Sequence, residues 1–562
     1  MSKRKALKRT GIILISVTIA LVIAWQLLKE FKIKAFVIDS LHTELNHYFV
    51  DSVHFQIEDI SFRFLEKEMI LEQVKINLIA DQKDTLASLE LPNLSISWDD
   101  YWETFNNQFY KFHILELKNA RLLLPLDFNK IEMRQASRPS FDGEFELEIK
   151  EFIVDEGEIL FYDMLNQKSG RINADYNLTV QNLYFEKGEI PKNFQDVAKD
   201  IFLEFHNLTY FLKDDLHKVD IKKLSFDLFK QDIKLISSHF RPIYTPEDFF
   251  KVKAEESNHI DMVLDSIQLN SIKWQGDSMV SIHNIFTNNI LLNVTKDKNY
   301  PLPDDRFVPV IIELLKNSDI SIDIRKLIIH NMNLSYFEIP LGSQDTGTVS
   351  ISNIHGEIEN ITNRKDSIEK YGTDLVILAS GNLYDDGKLN AEIRYNLNSK
   401  YGYFTVAGSL EPMFIGAINQ YMSKSYPIEI ISGNVDELFF SYSGGNRAVS
   451  GEMEFKYSDL RIKFHKVLNE EEKGDKALSW LANVALSQEN PRNNGRFRVG
   501  KIEFVRDTRK SMFSYWSNSL VSGFQSTVGV KKASRIEKLE KEEKKGKNLW
   551  QKIGFGKDKD GE

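Results

Sequence analysis

Cysteine is missing altogether from the 562 residues, which excludes disulfides, thiolate nucleophiles and cysteine-ligated metals and leaves the redox compartment unread. An excess of positive charge is missing too. The 72 Lys and Arg stand against 82 Asp and Glu, a net charge of −10, which argues against the basic face that general nucleic-acid binding requires. The chain lacks a G-x-x-x-x-G-K-[ST] phosphate loop, a G-x-G-x-x-G turn, an H-E-x-x-H zinc pair and a G-x-S-x-G elbow. Its 12 histidines are scattered, and His42 and His47, five apart, would point to different faces of a helix. Acidic runs such as WDDYWE at 98–103 read as solvated strand faces rather than as an acid–base pair. No catalytic residue, metal or cofactor is therefore expected, and an enzyme is the least favoured class.

What is present starts with residues 11–28, GIILISVTIALVIAWQLL, 18 residues without a charge and about the minimum for a helix crossing roughly 30 Å of hydrocarbon. Lys3, Arg4, Lys5, Lys8 and Arg9 precede it and Lys29, Lys32 and Lys34 follow. The asymmetry predicts a single-pass membrane anchor, with residues 1–10 a cytoplasmic basic tail and the bulk of the chain outside. A cleaved signal peptide is the rival reading; against it, no small-x-small cleavage site follows the apolar run. Ile33, Val37, Leu41, Leu45 and Phe49 then recur at fours, predicting an amphipathic helix over 29–50.

From residue 51 the period switches to two. Val53, Phe55 and Ile57 alternate with polar neighbours, as do Leu94, Ile96 and Trp98, and the pattern persists to Met453, Phe455 and Tyr457. The 12% of aromatic residues, with 38 Phe and 20 Tyr, also leans toward strands. Turns are expected at DEGE (155–158), YDDGKL (384–389) and SGGN (443–446). A loose repeat recurs in EFIVDEGEILFYD (151–163), DSIQLNSIKWQG (265–276) and RKLIIHNMNLSYFE (325–338), each read as strand, polar turn, strand. Short helices are expected at about 307–317, 413–422 and 478–485, and loops around 129–141, 186–198 and 241–258. Several Asn-x-Ser/Thr triplets occur, including those beginning at Asn177, Asn207 and Asn333, but they arise easily at strand ends.

These elements predict a mainly β fold. It consists of an elongated, curled antiparallel β-sheet over residues 51–465, interrupted by short helices and closed over 466–530 by a region containing an amphipathic helix. A charged tail over 531–562 holds 11 basic and 7 acidic residues and is expected to be disordered. The apolar face of the sheet has two readings. Either it is core against an opposing sheet, or it lines a groove for acyl chains, each buried CH₂ contributing roughly 0.8 kcal/mol. Groove-facing candidates are Phe62, Phe64, Leu147, Ile149, Phe226, Leu228, Phe455 and Tyr457.

Near the C-terminus, Arg492, Arg496, Arg498, Lys501, Arg506, Arg509 and Lys510 face only Glu503 and Asp507, seven minus two or +5. A stripe at fours follows, made of Met512, Trp516, Leu520, Phe524 and Val528, with serines between. This helix either docks on anionic headgroups or caps the sheet. Over residues 11–530 the sequence resembles the AsmA-like family of Gram-negative envelope proteins, in its Bacteroidetes-type forms. The resemblance rests on the anchor, KLIIHNMNLSYFE, IEIISGNVDELFFSYSGGNRAVSGEMEFKYSDLRIKF (428–464) and the closing NPR…RVGKIEFVRDTRKSMFSYWSNSLVSG. It implies an inner-membrane anchor and a periplasmic β-taco groove related to bridge-like lipid-transfer proteins. It also implies phospholipids as partners and a role in outer-membrane lipid homeostasis, with no catalytic residues. Asn490, Pro491, Arg506, Asp507 and Trp516 match the C-terminal pattern and, with Arg509 and Phe524, are candidates for docking. The alternative function is a non-enzymatic scaffold that assists assembly of an outer-membrane protein by strand addition.

Overall fold

The structure, a computed structural model, describes residues 53–529 apart from 64, 80–84, 100–108, 126–145, 164–167, 186–197, 276–278, 427 and 466–486. The expected anchor, amphipathic helix and charged tail, the helix at 478–485, the loop at 129–141 and Phe64 lie outside the described residues. No helix among the described residues is long and apolar enough to cross a membrane.

The chain divides into two compact units, one formed by Met1–Lys213 with Val219–Gln231 and the other by Asp214–Lys218 with Asp232–Glu562. In the first, β1 (Val53–Gln56) and β2 (Asp59–Arg63) pair side by side with β3 (Glu68–Ile79). β4 (Thr85–Ser97) follows, then β5 (Phe109–Lys118) and β6 (Arg121–Pro125), which share one place between β4 and β7 (Glu146–Asp163). β8 (Lys168–Phe185) and β9 (Asp200–Phe211) continue the sheet, and β9 pairs with β10 (His217–Asp227). A small core of Ile60, Leu71, Val74, Leu91, Leu117, Ala120 and Val154 holds β2–β7 together.

In the second unit β11 (Asp232–Pro242) leads into α1 (Pro246–Lys253). The long β12 (Asn258–Gln275) and β13 (Met279–Asp297) then precede α2 (Ile311–Lys316), and β14 (Ser321–Ile339) and β15 (Gly347–Thr362) precede α3 (Lys365–Tyr371). β16 (Asp374–Leu383), β17 (Gly387–Asn396), β18 (Phe404–Leu410) and the two-residue β19 (Met413–Phe414) follow. A 3₁₀ turn and α4 (Asn419–Ser425) come next, then β20 (Ile428–Gly444), β21 (Ala448–Phe464), β22 (Gly500–Val505) and α5 (Met512–Val528).

The molecule is mainly β, as its alternation predicts, but the sheet is mixed rather than antiparallel. β5 and β6 run parallel to β7, and β13 runs parallel to β14. The chain between β13 and β14, residues 298–320, carries α2 back to the end at which β13 began, which is the crossover a parallel pair requires. The expected helix at 307–317 is thus α2, shortened. The expected loop at 241–258 holds α1, whose local signals are complete: Thr245 caps its N-terminus by accepting from Asp248 N, Pro246 opens it, and Ala254 closes it in the left-handed region.

Two of the expected turns are hairpins. Tyr384 and Asp385 both have positive φ between β16 and β17, the pair of left-handed residues that reverses a strand, and SGGN joins β20 to β21. The third, DEGE, lies inside β7, and all three repeat units are likewise single strands. Each contains one left-handed residue, Glu156 in β7, Ser271 in β12 and Asn331 in β14. None of the three reverses its strand, and the register shifts beside Glu156 and Asn331 mark bulges there.

Candidate apolar face and its C-terminal cap

The bulges explain how the face that could bind a ligand is built. Along β12 the inward apolar residues are Ile260, Met262 and Leu264, then Ile267 and Leu269, then Ile272, so the spacing steps by three twice. β13 and β14 step at matching positions, and the registers align Met262 with Leu292 and Leu334, Leu264 with Ile290 and Met332, Leu269 with Ile285 and Leu327, and Ile272 with Ile282 and Ile324. A strict two-residue period would throw half of these side chains to the opposite face. A left-handed residue resets it at one of the two steps in each strand, Ser271 in β12, Asn289 in β13 and Asn331 in β14. The polar seam at one step is itself bonded: Asn331 Nδ2 donates to Asn289 Oδ1 at 2.7 Å, and Asn289 Nδ2 donates to Asp265 Oδ2 at 2.8 Å. Three of the Asn-x-Ser/Thr asparagines are bonded in a similar way. Asn207, itself left-handed, donates to Asp175 at 2.9 Å, Asn177 accepts from Glu156 N at 2.9 Å and Asn333 accepts from Asn353 N at 3.0 Å.

Leu264, Ile272, Ile282 and Ile290 are buried and their neighbours on the face half-buried. Yet no residue of β12–β14 belongs to, or packs on, the core cluster of this unit among the described residues. Beyond the apolar rows lie Lys296 and Glu338, in register with one another. Lys296 Nζ meets Glu256 Oε1 at 3.1 Å. Glu338, 3% exposed, accepts from Lys298 Nζ at 2.6 Å, Tyr336 at 2.7 Å and Tyr421 of α4 at 2.8 Å. Burial alone would raise the Glu338 carboxyl, but the Lys298 charge and these donors outweigh it and hold the group below its ordinary value. Burial pushes the Tyr336 and Tyr421 phenols up, so both stay protonated as donors.

The sequence-predicted groove residues separate. Phe62 packs at the margin of the first unit's core; Leu147 is half-buried, Ile149 buried, and Phe226 sits edge-on to Phe205 at 6.1 Å. Leu228 is corrected: it lies past the end of β10 in a turn and is 42% exposed, so it is not on the strand face. Phe455 and Tyr457 are also corrected. Each is 1% exposed, their rings lie 4.7 Å apart, and Phe524 of α5 covers Phe455 at 5.3 Å. They are sealed core. The rows on β12–β14 escaped the sequence reading because a three-residue step mimics a turn. The signal available was an Asn or Ser at the step flanked by apolar residues on both sides.

Four of the C-terminal docking candidates, Asn490, Arg506, Trp516 and Phe524, are corrected in the same sense. Asn490, 2% exposed and followed by a cis peptide to Pro491, donates to Phe455 O at 2.7 Å and Arg498 O at 2.9 Å and accepts from Arg498 N at 2.8 Å. Arg506 is buried and donates to the carbonyls of Val308 and Asn446. Trp516 and Phe524 pack against the core cluster. Asp507 and Arg509 remain at the surface, bonded to each other at 3.1 Å, and Arg509 also meets Asp304 at 3.1 Å. Direct hydrogen bonding to Arg509 holds the Asp507 carboxyl down.

Helix α5 turns its expected stripe inward, with Met512 and Val528 in the core cluster and Trp516, Leu520 and Phe524 packed on it, and it buries a row of small residues as well. Ser519, Ser522, Gly523 and Thr527, which the stripe at fours assigns to other sides, are buried. Small residues are needed there because the helix lies close to β22: a Cβ on Gly500 would stand 2.1 Å from Thr527 Oγ1 and 2.5 Å from Gly523 O. Two hydroxyls also cap the sheet edge, Ser522 Oγ accepting from Glu503 N at 3.1 Å and Ser526 Oγ from Lys501 N at 2.9 Å. Those edge amides are no longer open to strand addition. Gly500→Ala should therefore cost about 1–3 kcal/mol by overpacking, read as a lower midpoint of chemical unfolding; an unchanged midpoint would mean that the helix is not seated there.

A separate cleft of about 640 Å³ crosses β14–β18. It includes the small residues Gly356, Ala379, Ala391 and Gly408 in one register row. Its carboxylates are engaged, Glu357 by Lys326 and Glu392 by Arg394. No family model and no curated protein matches the chain.

Proposed function

We propose that the protein is a membrane-anchored component of a Gram-negative envelope, fixed in the inner membrane by residues 11–28, with its β units in the periplasm. There it binds or conducts phospholipid along its apolar sheet face toward the outer membrane. The observation that carries this reading is the in-register apolar surface of β12–β14, whose residues stand outside the unit's hydrophobic core cluster among the described residues. An acyl chain laid along such rows removes its methylenes from water at roughly 0.8 kcal/mol each. The resemblance to AsmA-like proteins agrees with the reading. The assembly-scaffold alternative calls for an accessible strand edge, and the edge at β22 is occupied by α5.

The test uses the alternation of the strand. A photo-crosslinking amino acid at Leu292, on the apolar face, should form phospholipid adducts in living cells, whereas one at Leu291, 44% exposed on the opposite face, should not. Equal labelling at both positions, or adducts with an outer-membrane protein alone, would sink the lipid reading.

A further inference from the structure

Helix α1 is seated between two imidazoles. Its buried side chains are Phe249 and Phe250, 1% and 2% exposed. The Phe249 ring lies 5.6 Å from the ring of His217 and 5.3 Å from that of His259, edge-to-face with both, and His217 stacks on Phe240 of β11 at 5.3 Å. Phe250 reaches Tyr300 at 6.0 Å. All of these residues belong to the second unit. A helix of eight residues is not stable by itself, so these ring contacts decide whether it stays in place.

The two imidazoles are provided for unequally. His217 Nδ1 meets Asp214 Oδ2 at 2.6 Å, so a charge on that ring has a carboxylate in contact. His259 is 7% exposed, and its Nε2 donates to a neutral carbonyl, that of Tyr244, at 3.2 Å. The charged groups on the surrounding elements are mostly committed to one another. Asp261, on the same strand as His259, is bonded to His239 of β11 at 2.9 Å, and β11 also carries Arg241. β13 sets Thr295 opposite His259, with Lys296 beside it held by Glu256. On α1, Lys251 pairs with Glu247 and Asp248, and Lys253 pairs with Glu255 just beyond the helix. The stretch that carries His217 adds Asp215 and Lys218. Burial pushes the His259 imidazole below its ordinary value of 6.5; the Tyr244 carbonyl and Asp261 pull the other way by less, and His217 adds to the fall.

We propose that His259 makes α1 a pH-released clasp: the neutral ring seats Phe249, and the protonated ring unseats the helix. The sign follows from linkage. With the helix open the imidazole is in water and titrates near 6.5, whereas the seated ring resists the proton, so opening grows as pH falls through 6.5 and levels off once the seated ring also charges. The chain leaving α1 carries Glu256, whose carboxylate holds Lys296 Nζ at 3.1 Å and whose carbonyl accepts from Arg306 Nη1 at 2.7 Å. Unseating the helix therefore loosens the charged residues that end the apolar rows. The inference stands whether or not those rows carry lipid.

The test is amide hydrogen exchange of the full chain in non-ionic detergent, followed by mass spectrometry at pH 7.5 and 5.5 and corrected for the intrinsic exchange rate. Opening of residues 246–257 should grow by up to about tenfold at the lower pH, the gain brought by an imidazole that titrates at 6.5 only when open. Peptides from β20 and β21 should not change. His259→Gln keeps a donor for the Tyr244 carbonyl but takes no proton, so its opening should be the same at both pH values. That flat profile is expected even if the variant seats α1 more loosely throughout. No rise in the parent would mean that the seated ring charges without moving the helix. An equal rise in His259→Gln would assign the effect to another group, and a rise shared by β20 and β21 would be general acid loosening. Any of these three results overturns the proposal.

Discussion

Replacing Phe455 by Ala should lower the unfolding free energy of the second unit by about 3–5 kcal/mol. The ring is 1% exposed, between Tyr457 at 4.7 Å and Phe524 at 5.3 Å. The space left behind cannot collapse easily, because α5 is held from above by Ser522 and Ser526 on the edge amides of β22. Chemical unfolding followed by circular dichroism gives the midpoint and its slope, and a lower midpoint at constant slope is the expected result. The same experiment separates core from groove. If Phe455 lined an open lipid path, truncation would leave the midpoint nearly unchanged and would instead reduce lipid adducts at Leu292.

Removing Glu338 is the second large perturbation. Glu338→Ala should cost about 3 kcal/mol, because the Tyr336 and Tyr421 hydroxyls lose their shared acceptor and Lys298 loses its partner. Lys298 keeps a side-chain exposure of 36%, so its charge can turn to water and the loss stays at the lower end for a broken buried pair. The pH dependence has a definite sign. The folded carboxyl titrates below its ordinary value of 4.5. Its stabilisation is therefore complete above pH 4.5 and disappears as pH falls through the depressed folded value. Unfolding free energy measured at steps below pH 4.5 should fall more steeply for the parent than for Glu338→Ala. Parallel curves would show that the carboxylate is not held by these donors.

Both perturbations act on groups whose roles came from opposite ends of the reasoning. Alternating Phe, Leu and Ile residues are enough to predict strands, since a period of two is a local property of the backbone. The hairpins at YDDGKL and SGGN were legible for the same reason, and so was the existence of a terminal helix after Lys510. A left-handed residue inside a strand, such as Glu156, Ser271 or Asn331, leaves the same trace in composition as one in a turn. Only strand pairing tells a bulge from a reversal.

What the sequence by itself determined is therefore the secondary structure class, the absence of cysteine chemistry and the alternation that gives the sheet an apolar face. Tertiary structure decided which parts of that face are covered. Phe455 and Phe226 sit in equivalent local patterns, yet one is sealed beneath α5 and the other is half-buried beside Phe205. It also decided that α5 buries more than its apolar stripe: the close approach at Gly500 calls for the small Ser519, Ser522, Gly523 and Thr527 on the face against β22. Neither outcome can be read from periodicity, because burial depends on contacts between residues far apart in the chain. Hydrophobic pattern records only that a side chain avoids water, not what it meets instead.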